Sequence, residues 1–217
     1  SSANYTVDTK APTVTITDDQ SAVVKKDGTI TYTFTFSSDV TGFTASDITV
    51  ANGTKGAFSG SGKIYTLVVT PTANYEGNVT VDVAEDVAKD ASGNDNTAAV
   101  QSVQAVDTKV PVLSTITMSD TALKAGESAT VTFTFSEGVK DFALADITAP
   151  NGTLSNFVKV SDSKYTATFT PTVNTEDATN VITVNKAYTD LAGNAPAASK
   201  SSANYTVDTK APTVTIT

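Results

Sequence analysis

Oxygen is the only strong metal-ligand chemistry this sequence offers. Its 217 residues include no histidine, cysteine, tryptophan or arginine. The groups able to do chemistry are therefore carboxylates, amides, hydroxyls and lysine amines. The acidic ones recur at matched places. Asp8, Asp107 and Asp208 each stand in a Val-Asp-Thr-Lys string. Asp39 and Glu137 each follow a Phe-Ser pair closely. Asp90 and Asp190 each open an Asp-x-x-Gly-Asn string that closes on Asn94 and Asn194. Carboxylates that converge repel one another unless paired or metal-bound. A hard cation such as Ca²⁺, which takes about six to eight oxygen ligands, suits such a set. Zinc and other metals that prefer sulfur or imidazole do not. The same strings also read as turns, because Gly and Asn tolerate positive φ and Asp caps a turn. Both readings stay open at this level, for Asp47 and Asp146 as well.

No catalytic constellation is present. Nucleophilic triads need histidine or cysteine, and no Gly-rich phosphate loop joins a strand to a helix. A carboxylate pair for glycoside hydrolysis would lack any aromatic platform for a sugar. No lysine is flanked by apolar strand residues as a Lys–Asn isopeptide crosslink requires. Neither the EF-hand pattern nor the Gly-rich nonapeptide calcium repeat occurs, so any metal site is assembled from distant loops. The chain is expected not to be an enzyme.

The elements that must position these residues are strands. "TITYTFTF" sets Ile30, Tyr32, Phe34 and Phe36 on one face and threonines on the other, and "ATVTFTF" repeats this from Ala129. Such alternation marks half-buried strands. Turn signals separate them, among them Asn52-Gly53 and Asn151-Gly152. The pattern predicts an all-β chain of two tandem immunoglobulin-like antiparallel β-sandwiches, about seven strands each. In the first, strands A to G are expected near 13–17, 29–36, 47–51, 54–60, 64–71, 79–87 and 97–106. Strand alternation then brings the incoming linker, the B–C loop and the F–G loop to one end. That end gathers Asp8, Asp39, Asp90 and Asn94 in the first repeat, and Asp107, Glu137, Asp190 and Asn194 in the second. Asp208 is the linker aspartate of a third. Lys10, Lys109 and Glu76 are placed to pair or to donate nearby. Asp18 and Asp19 are expected in solvent.

The string "SSANYTVDTKAPTVTIT" begins at Ser1 and again at Ser201. With "VDTKVP" at Val106, the period contains two units of about 100 residues. The expected division is 1–6, tail of a preceding repeat; 7–106, repeat one; 107–206, repeat two; and 207–217, start of the next. The end segments are expected to stand outside this chain's own cores. The net charge of −9 disfavours nucleic acid and anionic membrane surfaces as partners. No apolar run approaches the ~20 residues of a membrane span.

The strings "VDTKAPTVTI", "VTFTFSEGVKDFALADIT", "NGTLSNF", "KYTATFTPT" and "YTDLAGN" together resemble the bacterial Ig-like repeats of giant surface adhesins and biofilm proteins. The resemblance covers both units, with "FSSDV" in the first where the second has "FSEGV". It implies extender modules of a secreted, cell-surface protein, stiffened by calcium at domain junctions and projecting a distal adhesive domain. The expected partners are neighbouring repeats of the same chain. The rival reading is a glycan- or protein-binding module, to which Tyr5, Tyr75, Tyr188 and Tyr205 would contribute. An accessory domain of a secreted enzyme is disfavoured by the repeat.

Overall fold

The computed structural model describes residues 5–216. It divides after Lys109 into two units, and each is an all-β sandwich. Residues 1–4 and 217, which include most of the expected 1–6 tail, lie outside the described residues.

The first unit is built from β1 (Val14–Asp18), β2 (Val24–Lys25), β3 (Ile30–Thr41), β4 (Ile48–Ala51), β5 (Gly53–Pro71), β6 (Glu76–Val83), β7 (Lys89–Asp90) and β8 (Ser102–Asp107). One sheet has the order β1-β3-β5, with β7 also on β3; the other runs β2-β8-β6-β4. The alternating residues Ile30, Tyr32, Phe34 and Phe36 all face inward and are buried. Their register against β5, from Ile30 opposite Val69 to Thr35 opposite Ile64, extends one apolar face across both strands of the sheet. The expected D and E strands are the two arms of β5. The chain folds back between them, where the Ser59 and Thr66 hydroxyls hydrogen-bond at 3.0 Å.

The second unit repeats this plan with β9 (Leu113–Met118), β10 (Ala122–Lys124), β11 (Ala129–Phe135), β12 (Val139–Lys140), β13 (Ile147–Thr148), β14 (Gly152–Ser161), β15 (Lys164–Pro171), β16 (Glu176–Asn180), β17 (Thr183–Val184), β18 (Thr189–Asp190), β19 (Lys200–Ser201) and β20 (Tyr205–Asp208). Its first sheet is β14-β15-β11-β9. The opposite side is divided into β10-β20-β16 and β13-β17-β19, and β12 pairs β18.

Three differences from expectation bear on the site. Strand β3 continues through the expected B–C loop to Thr41, so Asp39 lies on a strand. Each unit also has a short strand, β2 or β10, that runs parallel to its last strand. Third, the expectation that 207–217 stands outside the cores fails at Val207, which is 1% exposed. Strand β20 runs through the Val-Asp of the string. Its period of two places Val207 on the same inward face as Tyr205.

The cores also position the loops. Phe36, Phe43, Phe58 and Tyr65 form an edge-to-face cluster, with Phe36 and Phe43 centroids 5.0 Å apart. Phe135, Phe142, Phe157 and Tyr165 repeat it. Such pairs contribute about 0.5–1.5 kcal/mol each beyond burial. The Tyr65 hydroxyl donates to the Val40 carbonyl at 3.1 Å, and Tyr165 to Val139 at 3.1 Å. Val40 and Val139 in turn lie opposite Asp90 and Asp190. Among the described residues no helix is long and apolar enough to cross a membrane.

Candidate metal site

Asp90 ends β7 and is 8% exposed. Its Oδ1 accepts the N–H groups of Ser92 and Asn94, both at 2.9 Å, and its Oδ2 accepts Asn94 Nδ2 at 3.0 Å. Gly93, at φ +87°, makes this tight loop possible. The Asn94 side chain holds the Asp90 carboxyl below its usual range. Burial opposes this in part, and the N–H groups of Asn94, Ser92 and Gly93 add to it.

Asp8 of the linker comes to the same loop. Its Oδ2 accepts the Ser92 hydroxyl at 3.3 Å, and its backbone carbonyl accepts Asn94 Nδ2 at 3.1 Å. Asn94 Nδ2 thus donates to both Asp8 and Asp90. Asp39 does not join them. It is exposed, with its carboxylate 3.2 Å from where a Cβ on Gly62 would stand. Among the described residues Asp8, Asp39 and Asp90 form no group of three carboxylates within 4.8 Å of one another. The reason is the length of β3, which carries Asp39 beside Val40 and over the β5 fold-back.

The second unit builds the same F–G loop more deeply. Asp190 is 1% exposed, and its Oδ1 accepts Gly193 N–H at 2.7 Å and Asn194 N–H at 2.8 Å. Its Oδ2 accepts Asn194 Nδ2 at 2.7 Å. Glu137, half-buried in the turn after β11, brings a carboxylate oxygen within 4.8 Å of one on Asp190. Two carboxylates at that spacing, one of them buried, suit a hard, oxygen-ligated cation.

The linker aspartates have a local task as well. Asp8, Asp107 and Asp208 each accept the N–H of the lysine two residues on, at 3.1, 3.1 and 3.3 Å. Asp107 and Asp208 close β8 and β20, where they stand opposite Glu76 and Glu176. Lys109 and Lys210 approach those glutamates at 3.9 Å. Asp47 and Asp146 cap their single 3₁₀ turns, accepting Thr44 N–H at 2.7 Å and Ala143 N–H at 2.9 Å. Asp19 is not merely solvated: it accepts Thr31 N–H at 2.9 Å and ties the A–B turn.

Sequence reasoning missed the threonines of the repeated string. Thr108 Oγ1 accepts Tyr75 N–H at 2.9 Å and donates to the Thr72 carbonyl at 2.7 Å. Thr209 does the same to Thr175 and Thr172, at 2.9 and 2.7 Å. Each clamps the E–F loop of its own unit. The signal was in view, since Thr follows Asp in every copy of the string. The structure also corrects two of the four tyrosines offered to a binding reading. Tyr188 and Tyr205 are core residues, and Tyr188 packs 5.0 Å from Phe135.

Residues 8–106 and 107–207 each match the family model of the bacterial Ig-like domain. The chain belongs to the bacterial Ig-like domain family. Solved structures similar to this pair of Ig-like domains include FdeC, an Escherichia coli adhesin, at 17% identity over 96% of this chain and 67% of that one, with a TM-score of 0.41. Invasin, a bacterial integrin-binding protein, matches at 14% identity over 88% of this chain and 40% of its own, TM-score 0.40. InvD of Yersinia pseudotuberculosis matches at 16% identity over 93% and 58%, TM-score 0.38. The Ig-like pair thus spans well under two thirds of the invasin and InvD chains. No match was found among curated protein sequences.

Proposed function

We propose that this chain is a structural extender segment of a bacterial surface adhesin. Its Ig-like repeats are stiffened by Ca²⁺ bound where each linker enters a repeat, and they project a distal adhesive domain from the cell. The observation that carries the metal reading is the hydrogen-bonding of Asp8 to the F–G loop beside Asp90. The pairing of Glu137 with Asp190 supports it. The ligands proposed are Asp8, Asp90 and Asn94 in the first repeat. In the second they are Asp107, by its place in the repeat, with Glu137, Asp190 and Asn194. Asp208 stands in the same place in the string. Asp39 lies too far round on β3 to serve without a shift of the β5 fold-back. A bound cation would neutralise the converging carboxylates and fix the linker to the loop, which is the work of a stiff spacer. Family membership and the 200-residue repeat support a non-catalytic role in an array. Burial of Tyr188 and Tyr205 weighs against the glycan-binding alternative.

The test is the thermal midpoint by circular dichroism, in about 10 mM Ca²⁺ and in excess EDTA. Dissociation constants typical of extracellular modules, about 10⁻⁴–10⁻³ M, give a rise of roughly 5–20 °C for a domain of this size. E137Q should reduce the rise. Equal midpoints with and without Ca²⁺ would remove the metal from the reading and leave the repeat architecture as its only support.

A further inference from the structure

Each unit crosses from one sheet to the other through an Asn-Gly pair, Asn52-Gly53 between β4 and β5 and Asn151-Gly152 between β13 and β14. No other Asn-Gly pair occurs in the sequence. The corner demands these residue types. Asn52 and Asn151 sit at φ +59° and +55°, a left-handed region in which Asn is enriched. A Cβ on Gly53 would stand 2.6 Å from Val69 Cγ1, and one on Gly152 would strike the Phe169 ring. The same pair is chemically exposed. Asparagine is thermolabile, and a following glycine has no Cβ to shield its nitrogen from the asparagine side chain. The backbone is held alike in both corners. Thr72 N–H donates to the Asn52 carbonyl at 2.9 Å, and Thr172 N–H to the Asn151 carbonyl at 2.8 Å. The side chains differ. Asn151 Nδ2 donates to Asp177 Oδ2 at 2.8 Å and to Asn180 Oδ1 at 2.7 Å, and Asn180 is buried. Asn52 is exposed, and its Nδ2 donates to the Asn78 carbonyl at 2.8 Å.

We propose that Asn52 is a site of spontaneous deamidation in the folded protein, and that the second unit protects its counterpart Asn151. The Gly53 backbone nitrogen loses its proton to solvent and attacks the Asn52 side-chain carbonyl carbon. A C–N bond forms, the Cγ–Nδ2 bond breaks, and the amide leaves as ammonia with a proton taken from water. The product is a five-membered cyclic imide. Water then opens either imide carbonyl. Opening at the side-chain carbonyl gives aspartate, and opening at the main-chain carbonyl gives isoaspartate, whose backbone runs through Cβ. The sum is asparagine and water giving a carboxylic acid and ammonia, so no other reactant is needed. In the second unit two bonds pin the leaving amide. The Asp177 carboxylate beside it also disfavours an anionic attacking nitrogen. The damage in the first unit is local. A carboxylate at position 52 turns an acceptor toward the Asn78 carbonyl in place of a donor. Isoaspartate adds a backbone atom at the corner, which displaces the carbonyl that Thr72 N–H holds. The first unit therefore weakens with age while the second does not.

The reaction needs neither calcium nor a neighbouring repeat, so it holds whether or not the chain is an extender. The test incubates the whole chain, folded, in warm and mildly alkaline buffer. Peptide mapping by mass spectrometry follows aspartate and isoaspartate at both positions. A parallel incubation in guanidinium chloride gives the rates without structure. There the two sites, both Asn-Gly-Thr, should convert at similar rates. In the folded chain Asn52 should convert several-fold faster than Asn151. The first unit's melting midpoint should fall as the product accumulates, and the second unit's should stay. N52G keeps the positive φ without the reactive amide, and its midpoint should survive the same incubation. Equal conversion at the two sites in the folded chain, or faster conversion at Asn151, would overturn the proposal. So would an intact Asn52 after the unfolded chain has fully converted. An equal fall in the midpoint of N52G would overturn the weakening of the corner.

Discussion

Val106, Asp107, Thr108 and Lys109 occupy four different environments in four residues. Val106 is in the core, and Asp107 caps the Lys109 N–H. Thr108 clamps the E–F loop, and Lys109 sits at the surface beside Glu76. Magnitudes rank them. The exposed Lys109–Glu76 pair contributes at most about 1 kcal/mol. Thr108 is buried, and T108V would keep its shape while leaving Tyr75 N–H and the Thr72 carbonyl without this partner. Stranding buried polar groups costs about 1–3 kcal/mol, so the first unit's midpoint should fall by roughly 5–20 °C. T209V should do the same to the second unit. Thr9 holds the same place in the first copy of the string but is exposed, so T9V should change stability by no more than about 0.5 kcal/mol. Differential melting of the three variants checks the ranking.

The short parallel strands are the elements on which each sandwich closes. Leu123 is buried at the centre of β10, opposite Val207. L123A should cost about 2–5 kcal/mol, measured by urea denaturation of the second unit. The long strands were legible because alternation of apolar residues and threonines is a local signal. β2 and β10 were not, because two or three residues with one buried side chain make no period. Their partner lies some 80 residues away in sequence. The site divides along the same line. Asp90 with Asn94, and Asp190 with Asn194, were legible because each loop bonds to itself within five residues. The misplacement of Asp39 was not, because it depends on how far β3 continues along β5. Nor was the burial of Tyr188. It stands where the first unit has Ala88, whose N–H is instead held by the buried Asn96. The second unit has Pro196 in the place of Asn96. Tyr with Pro, and Ala with Asn, are two solutions for one loop. Neither residue alone reveals its partner.

At the scale of the whole chain, neighbouring units differ where the string 200 residues away is identical. Ser38 and Asp39 stand where the second unit has Glu137 and Gly138, Ala88 where it has Tyr188, and Asn96 where it has Pro196. Tandem domains misassemble during folding when strands of one can complete the sheet of the next, and identical neighbours make that exchange cheapest. Alternation removes the match. Strand β20 carries Tyr205 to the second core's Phe169, at 5.1 Å. At the corresponding place β8 offers Gln104 or Ala105, which cannot fill it. A chain in which residues 7–106 are followed directly by a second copy of 7–106 should therefore refold with lower yield than the natural order. It should also accumulate a misassembled species that unfolds at its own midpoint. Rapid dilution from urea, followed by size exclusion and a melting scan, reads both quantities. Equal yields would mean that divergence between neighbours serves the loops alone and does nothing to keep their strands apart.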